Sequence, residues 1–168
     1  MTSSRSRRFA DEAGLHSIDF CEHFVIGKRT DRYPYGDFAH PRETPWPDVL
    51  TVLAAVAAVT TRIRLATGVI LLPLRPAVAL AKAVAALDVL SDGRVDLGVG
   101  WQPEDFASAG VPWGERIARF SESVEACRAI WGPQPVTFRG RRTDIDGVFS
   151  LPRPIQDRLP ILFGVKLT

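Results

Sequence analysis

The sequence predicts an α/β fold in which parallel strands alternate with helices and close part of a (β/α) barrel, a partial TIM barrel. Three observations predict it. Short apolar stretches of strand length alternate with longer stretches of helical period along all 168 residues. The strands read as apolar on both faces, Leu65 to Leu72 almost without a break, as a parallel sheet covered by helices requires. The unusual residues, Glu22-His23, then Pro73 and Arg75, then Gly100-Trp101, each stand where a strand ends, the position of the functional rim in a barrel. An open doubly wound sheet is the competing architecture. Its dinucleotide fingerprint fails, because Gly98-Val99-Gly100 is followed by Trp101, Gln102 and Pro103 with no third glycine. Only four parallel strands are legible, whereas a closed barrel has eight and about 250 residues.

The elements follow in order. Arg7 to Ala13 is expected as a short helix ended by Gly14, and Ser17 to Phe24 as a strand. A polar, aromatic-bearing loop runs from Gly27 to Trp46. Pro47 introduces an alanine-rich helix from Asp48 to Thr61. Leu65 to Leu72 is the next strand, stopped by Pro73, and Pro76 opens a helix that ends near Leu90. The run Leu90-Ser91-Asp92-Gly93-Arg94 reads as a helix end with a left-handed glycine cap. Val95 to Val99 is a strand. Gly114 to Trp131 is an amphipathic helix with Ile117, Phe120, Val124, Cys127 and Trp131 on its apolar face. Val136 to Phe149 forms a hairpin and Pro160 to Phe163 the last strand.

Composition narrows the function. Hydrophobic residues are 46% and charged residues 24%, the balance of a folded domain, and a net charge of +2 is too small to imply a nucleic-acid partner. The longest apolar tract, Val49 to Val59, is shorter than the roughly 20 residues of a spanning helix. Cys21 and Cys127 fit no metal spacing and are expected as reduced thiols in or near the core of a cytoplasmic protein. Arg5, Arg7 and Arg8 precede Asp11 and Glu12 without an apolar signal core, so the start reads as a charged helix rather than a targeting peptide. No Ser-His-Asp set, P-loop or zinc spacing occurs, which is consistent with chemistry carried by a cofactor.

Several segments together carry a family likeness: Ser17-Ile18-Asp19-Phe20-Cys21-Glu22-His23, Thr60 to Val69, Leu72-Pro73-Leu74-Arg75-Pro76, Leu87 to Arg94, Leu97-Gly98-Val99-Gly100-Trp101, Arg116 to Trp131, and Pro152-Arg153-Pro154-Ile155-Gln156. In order and spacing the chain resembles the luciferase-like monooxygenase superfamily, specifically the oxidoreductases that use the deazaflavin coenzyme F420. The resemblance implies a bacterial-luciferase-like barrel represented here without its first strand and its last three βα units. The closing Val165-Lys166-Leu167-Thr168 departs from the family pattern, as an early stop or frameshift would make it.

The resemblance also assigns roles. Glu22 and His23 would face the deazaflavin and substrate, the imidazole donating a hydrogen bond or handling a proton near neutral pH. The strand holding Thr67, Gly68 and Val69 would be bulged, with a non-proline cis peptide at Gly68–Val69 against the cofactor ring. Gly98 and Gly100 would admit the ring, and Trp101 would line the pocket. Flavin-mononucleotide relatives often carry arginine where Trp101 stands, which favours F420, with FMN the alternative. Each of these residues also has a structural reading: a polar pair capping a strand, a bulge for close helix approach, a tryptophan anchoring a strand end.

Around them, Tyr33, Tyr35, Phe38, His40 and Trp46 sit in a loop long enough to be a lid or a packing excursion. His16 reads as structural. Glu104 and Asp105 read as acids in the first turn of a helix, not as metal ligands. Arg139, Arg141 and Arg142 read as a solvated hairpin tip. Two functions remain: hydride transfer between F420 and a small organic substrate (or an FMN- and oxygen-dependent variant), or a non-catalytic remnant that only binds or dimerises. Exposed sheet edges favour a homodimer, and neither a nucleic-acid nor a membrane partner is expected.

Overall fold

The computed structural model describes residues 4–28, 38 and 40–164. Helix α1 (Ser4–Glu12) precedes strand β1 (Ser17–Phe20), and Gly14 makes the turn between them at φ 74°. There follow α2 (Val49–Ala57), β2 (Arg64–Thr67), α3 (Ala77–Leu90), β3 (Val95–Val99), the short α4 (Pro103–Ser108), α5 (Arg116–Trp131), the hairpin β4 (Val136–Arg139) and β5 (Asp144–Val148), and β6 (Ile161–Phe163). The sheet runs β1-β2-β3-β6 with every pairing parallel. Because the strands are parallel, the residues that follow β1, β2, β3 and β6 emerge along one rim.

Alternation gives the sheet two distinct faces. Ile18, Phe20, Leu65, Val95, Leu97, Val99 and Ile161 point outward and pack with Leu53 and Val56 of α2, Leu80 and Val84 of α3, and Cys127, Ile130 and Trp131 of α5. Trp131 also donates its indole N–H to the Ala81 carbonyl at 2.9 Å, tying α5 to α3. The concave face is polar. There Arg64 meets Asp96 in a two-pronged ion pair, Nε and Nη2 each 2.6 Å from a carboxylate oxygen.

At the end opposite the rim, buried polar groups tie loops to helices. Asp11 accepts backbone N–H groups from Thr61, Arg62 and Ile63 at 2.6–2.9 Å. Arg94, 8% exposed, donates to Ser91, Ile63, Thr60 and Ala57. Asp88, fully buried, receives the Ile155 and Gln156 amides and the Gln156 side chain.

Several expectations change. The first strand stops at Phe20, so Cys21 lies beyond it and is exposed, not near the core; Cys127 is buried, and burial pushes its thiol up to about 12. The strand expected over Leu65 to Leu72 ends at Thr67, because the chain turns through Gly68 and Val69 before Ile70 bridges to Val99 and Leu72–Leu74 forms a 3-10 turn. Ile117, the second residue of α5, is 52% exposed and takes no part in the core. Arg142 is not a solvated tip residue: it pairs with Glu115 and Glu122 and docks the hairpin on α5. Asp92 joins Gly93 in the left-handed region, at φ 57° and 72°, where the cap was expected. No described helix is long and apolar enough to cross a membrane.

Candidate active site

The rim is built on close backbone approach. The Gly68–Val69 peptide is cis. A Cβ at Gly98 would stand 1.9 Å from the Thr67 carbonyl oxygen, and one at Gly100 2.6 Å from Val69 Cγ2. One at Gly68 would stand 2.8 Å from Asp19 Oδ2. Internal packing therefore demands Gly98, whose neighbour is backbone, and crowds Gly100 against Val69, whereas at Gly68 the neighbour is the movable end of the Asp19 side chain. Thr67 turns its hydroxyl to the Gly98 carbonyl at 2.6 Å, while Ile70 donates to Gly98 and Gly100 donates to Ile70 across the turn. The result is a closely packed floor in which the Val69 side chain fills the space beside Gly100 and Gly164.

Glu22 and His23 rise beside this floor from the end of β1. Glu22, 4% exposed, accepts the Leu71 amide at 2.9 Å and is ion-paired with Arg75. His23 turns the other way. Its Nδ1 lies 3.4 Å from Asp105 Oδ2, and Asp105 Oδ1 takes the Phe24 and Val25 amides at 2.7 and 3.0 Å. The ring stands edge-on to Trp46 at 4.7 Å and to Phe38 at 6.1 Å, and Trp46 meets His40 at 5.2 Å. The Trp46 indole nitrogen is buried and, among the described residues, has no hydrogen-bond acceptor. A cavity of about 300 Å³ lies beyond this aromatic group, with Asp19, Phe20, Cys21, His40 and Trp46 among its walls.

Trp101 closes the opposite side. It packs edge-on against Phe120 at 5.6 Å and Phe163 at 5.1 Å, as a tryptophan anchoring a strand end does. Glu22, His23, Thr67, Gly68, Val69, Gly98, Gly100 and Trp101 thus share one rim. Tyr33 and Tyr35 lie outside the described residues. His16 is exposed and contributes its carbonyl to the Arg64 amide. Sequence reasoning gave Asp105 only a helix-end role. It is indeed in the first turn of α4, yet it is fully buried and holds the His23 segment. The sole signal available was an acid after Pro103 close to the Gly98-Val99-Gly100 strand end.

The donor set fits a flat redox heterocycle better than a metal. Gly68 and Val69 present accessible backbone at the rim with Gly98 and Gly100 buried behind them, and His23 can meet a polar ring edge or a substrate oxygen. Among the described residues no group of three or more His, Cys, Asp or Glu side chains could hold a metal ion.

A model of the luciferase-like monooxygenase family matches residues 5–166. An uncharacterised Mycobacterium tuberculosis protein is 35% identical over 178 residues, covering 100% of this chain and 62% of its own length. The chain thus spans under two thirds of that relative. The F420-dependent glucose-6-phosphate dehydrogenase of Beutenbergia cavernae is 36% identical over 137 residues, covering 78% of this chain and 37% of that protein. Among solved structures, the monooxygenase RslO1 from Streptomyces bottropensis superposes with a TM-score of 0.78 at 35% identity, over 95% of this chain and 45% of that one. A four-stranded arc of parallel strands, a glycine-bordered rim and a match over nearly every residue lead to one conclusion: the chain belongs to the luciferase-like monooxygenase family and carries part of its barrel fold.

Proposed function

We propose that the chain supplies the cofactor-facing rim of an F420-dependent oxidoreductase acting on a small organic substrate. The observation that carries this reading is the convergence of His23, held by buried Asp105, and the accessible Gly68–Val69 floor at the ends of adjacent parallel strands. The F420-dependent relative supports the choice of cofactor.

When bound, the reduced deazaflavin supplies a hydride. Gly68 and Val69 would hold its ring, with Gly98 and Gly100 packed behind them. Asp105 accepts from His23 Nδ1, which leaves Nε2 as the atom that donates to, or exchanges a proton with, the ligand. Trp46 and Phe38 flank the imidazole and exclude water from one side. Glu22, locked to Arg75 and the Leu71 amide, holds the segment.

FMN is the second reading. Trp101 offers no cation to a phosphate and is already engaged with Phe120 and Phe163, which favours F420. Fluorescence titration of the 168-residue protein with coenzyme F420 and with FMN tests both. Saturable stoichiometric quenching by F420 is the expected result. Saturation by FMN alone would transfer the reading to a flavin monooxygenase, and no response to either at high concentration would favour a remnant without cofactor chemistry.

A further inference from the structure

Arg75 occupies a position that the cofactor reading leaves without a task. Its guanidinium joins three elements. It pairs with buried Glu22, stands 2.5 Å from Asp48 Oδ2, and covers the Phe24 ring at 5.5 Å. Asp48 is the N-cap of α2, its Oδ1 accepting from the Thr51 amide at 2.8 Å and hydroxyl at 2.9 Å. Glu22 has its second oxygen on the Leu71 amide, just past the cis turn. From the other side Asp105 holds His23, Phe24 and Val25. Residues 22–25, His23 among them, are therefore clamped between Arg75 on one side and the first turn of α4 on the other.

We infer that Arg75 is a positioning residue that sets where the His23 ring stands between Asp105 and Trp46. The inference rests on the proposed role of His23 for its functional meaning, but not for its geometry. Glu22 has a side chain only 2% exposed. Without the guanidinium it is a buried carboxylate with one backbone partner, a state costly enough to drive it toward water. His23 follows, since one peptide bond joins them. Lysine replaces only part of this arrangement: Nη2 serves both carboxylates while Nε stands 3.4 Å from the second Glu22 oxygen, and an ammonium is a single compact charge without that second prong.

The test is NMR on the cofactor-free protein. Trp46, edge-on at 4.7 Å, displaces the His23 ring-proton signals from their free-imidazole positions. In Arg75→Met these signals are expected to move toward free-imidazole values, and exchange of the Phe24 and Val25 amides to accelerate by about tenfold or more. Arg75→Lys is expected to recover the signals in part. Arg142→Met, which breaks ion pairs on α5, is expected to lower stability while leaving them in place. Unchanged His23 signals and amide protection in folded Arg75→Met would overturn the inference.

Should Arg75→Met fail to fold, Asp48→Asn removes the outer anchor and keeps an N-cap residue. A smaller displacement in the same direction then supports the inference, and none overturns it. No cofactor enters these measurements, so a negative titration with F420 would defeat the proposed function alone.

Discussion

Gly98 is the residue whose identity the fold dictates most strictly, since any side chain would meet the Thr67 carbonyl at 1.9 Å. Gly98→Ala must separate β2 from β3 and is expected to cost about 3 kcal/mol or more, at the upper end for overpacking, measured by urea unfolding. His23 and Asp105 form the other decisive pair. His23→Gln is expected to lower F420-linked turnover by about 100-fold, with cofactor affinity changing less. Asp105→Asn is expected to act in the same direction while also freeing the Phe24 and Val25 amides. Comparing single-turnover rates with fluorescence-derived affinities separates the two effects. The sequence made His23 legible through its position at a strand end and its family motif. It could not reveal Asp105, because an acid in a helix's first turn has the same appearance whether it faces water or, as here, a histidine from a distant loop.

At the scale of the elements, the strands and helices form where periodicity put them, and their ends follow from polar groups that arrive from elsewhere. Arg94 shows this. It stands just past Gly93, yet its donors satisfy carbonyls at the end of α2 and the start of β2. Arg94→Met leaves those buried acceptors unpaired and is expected to destabilise by about 3 kcal/mol or more in chemical denaturation.

Asp11 gives the same end of the fold a pH dependence. Burial alone would raise its pKa, but the backbone N–H groups of Thr61, Ile63 and Arg62 and the Thr61 hydroxyl outweigh burial and hold it at about 2, below the usual 3.8. A carboxyl depressed on folding stabilises fully above its unfolded value. That contribution is lost as pH falls from about 4 toward 2. Thermal unfolding across this window should therefore show a steeper fall for the parent chain than for Asp11→Asn, which lacks the titrating group.

For the whole molecule, β1 and β6 are the outer strands of the sheet among the described residues. Leu162 and Phe163 on β6 are 54% and 44% exposed, and unpaired strand edges of this kind template further pairing. Produced as these 168 residues, the protein is expected to self-associate, with a sedimentation-derived mass that rises with concentration. A monomer across the micromolar range would refute the homodimer expectation. Charge substitution at Leu162 should shift the distribution toward smaller species.

The sequence by itself determined the alternation of elements, the parallel sheet, the family and the rim on which Glu22, His23, Gly68, Gly100 and Trp101 gather. Those properties come from local period and from motifs contiguous in the chain. Only the tertiary structure decided which way the rim residues face: Glu22 to Arg75, His23 to Asp105, Trp101 to Phe120 and Phe163. These partners lie 19 to 82 positions apart, and nothing in local hydrophobic pattern encodes a contact between polar side chains that folding brings together from separate loops.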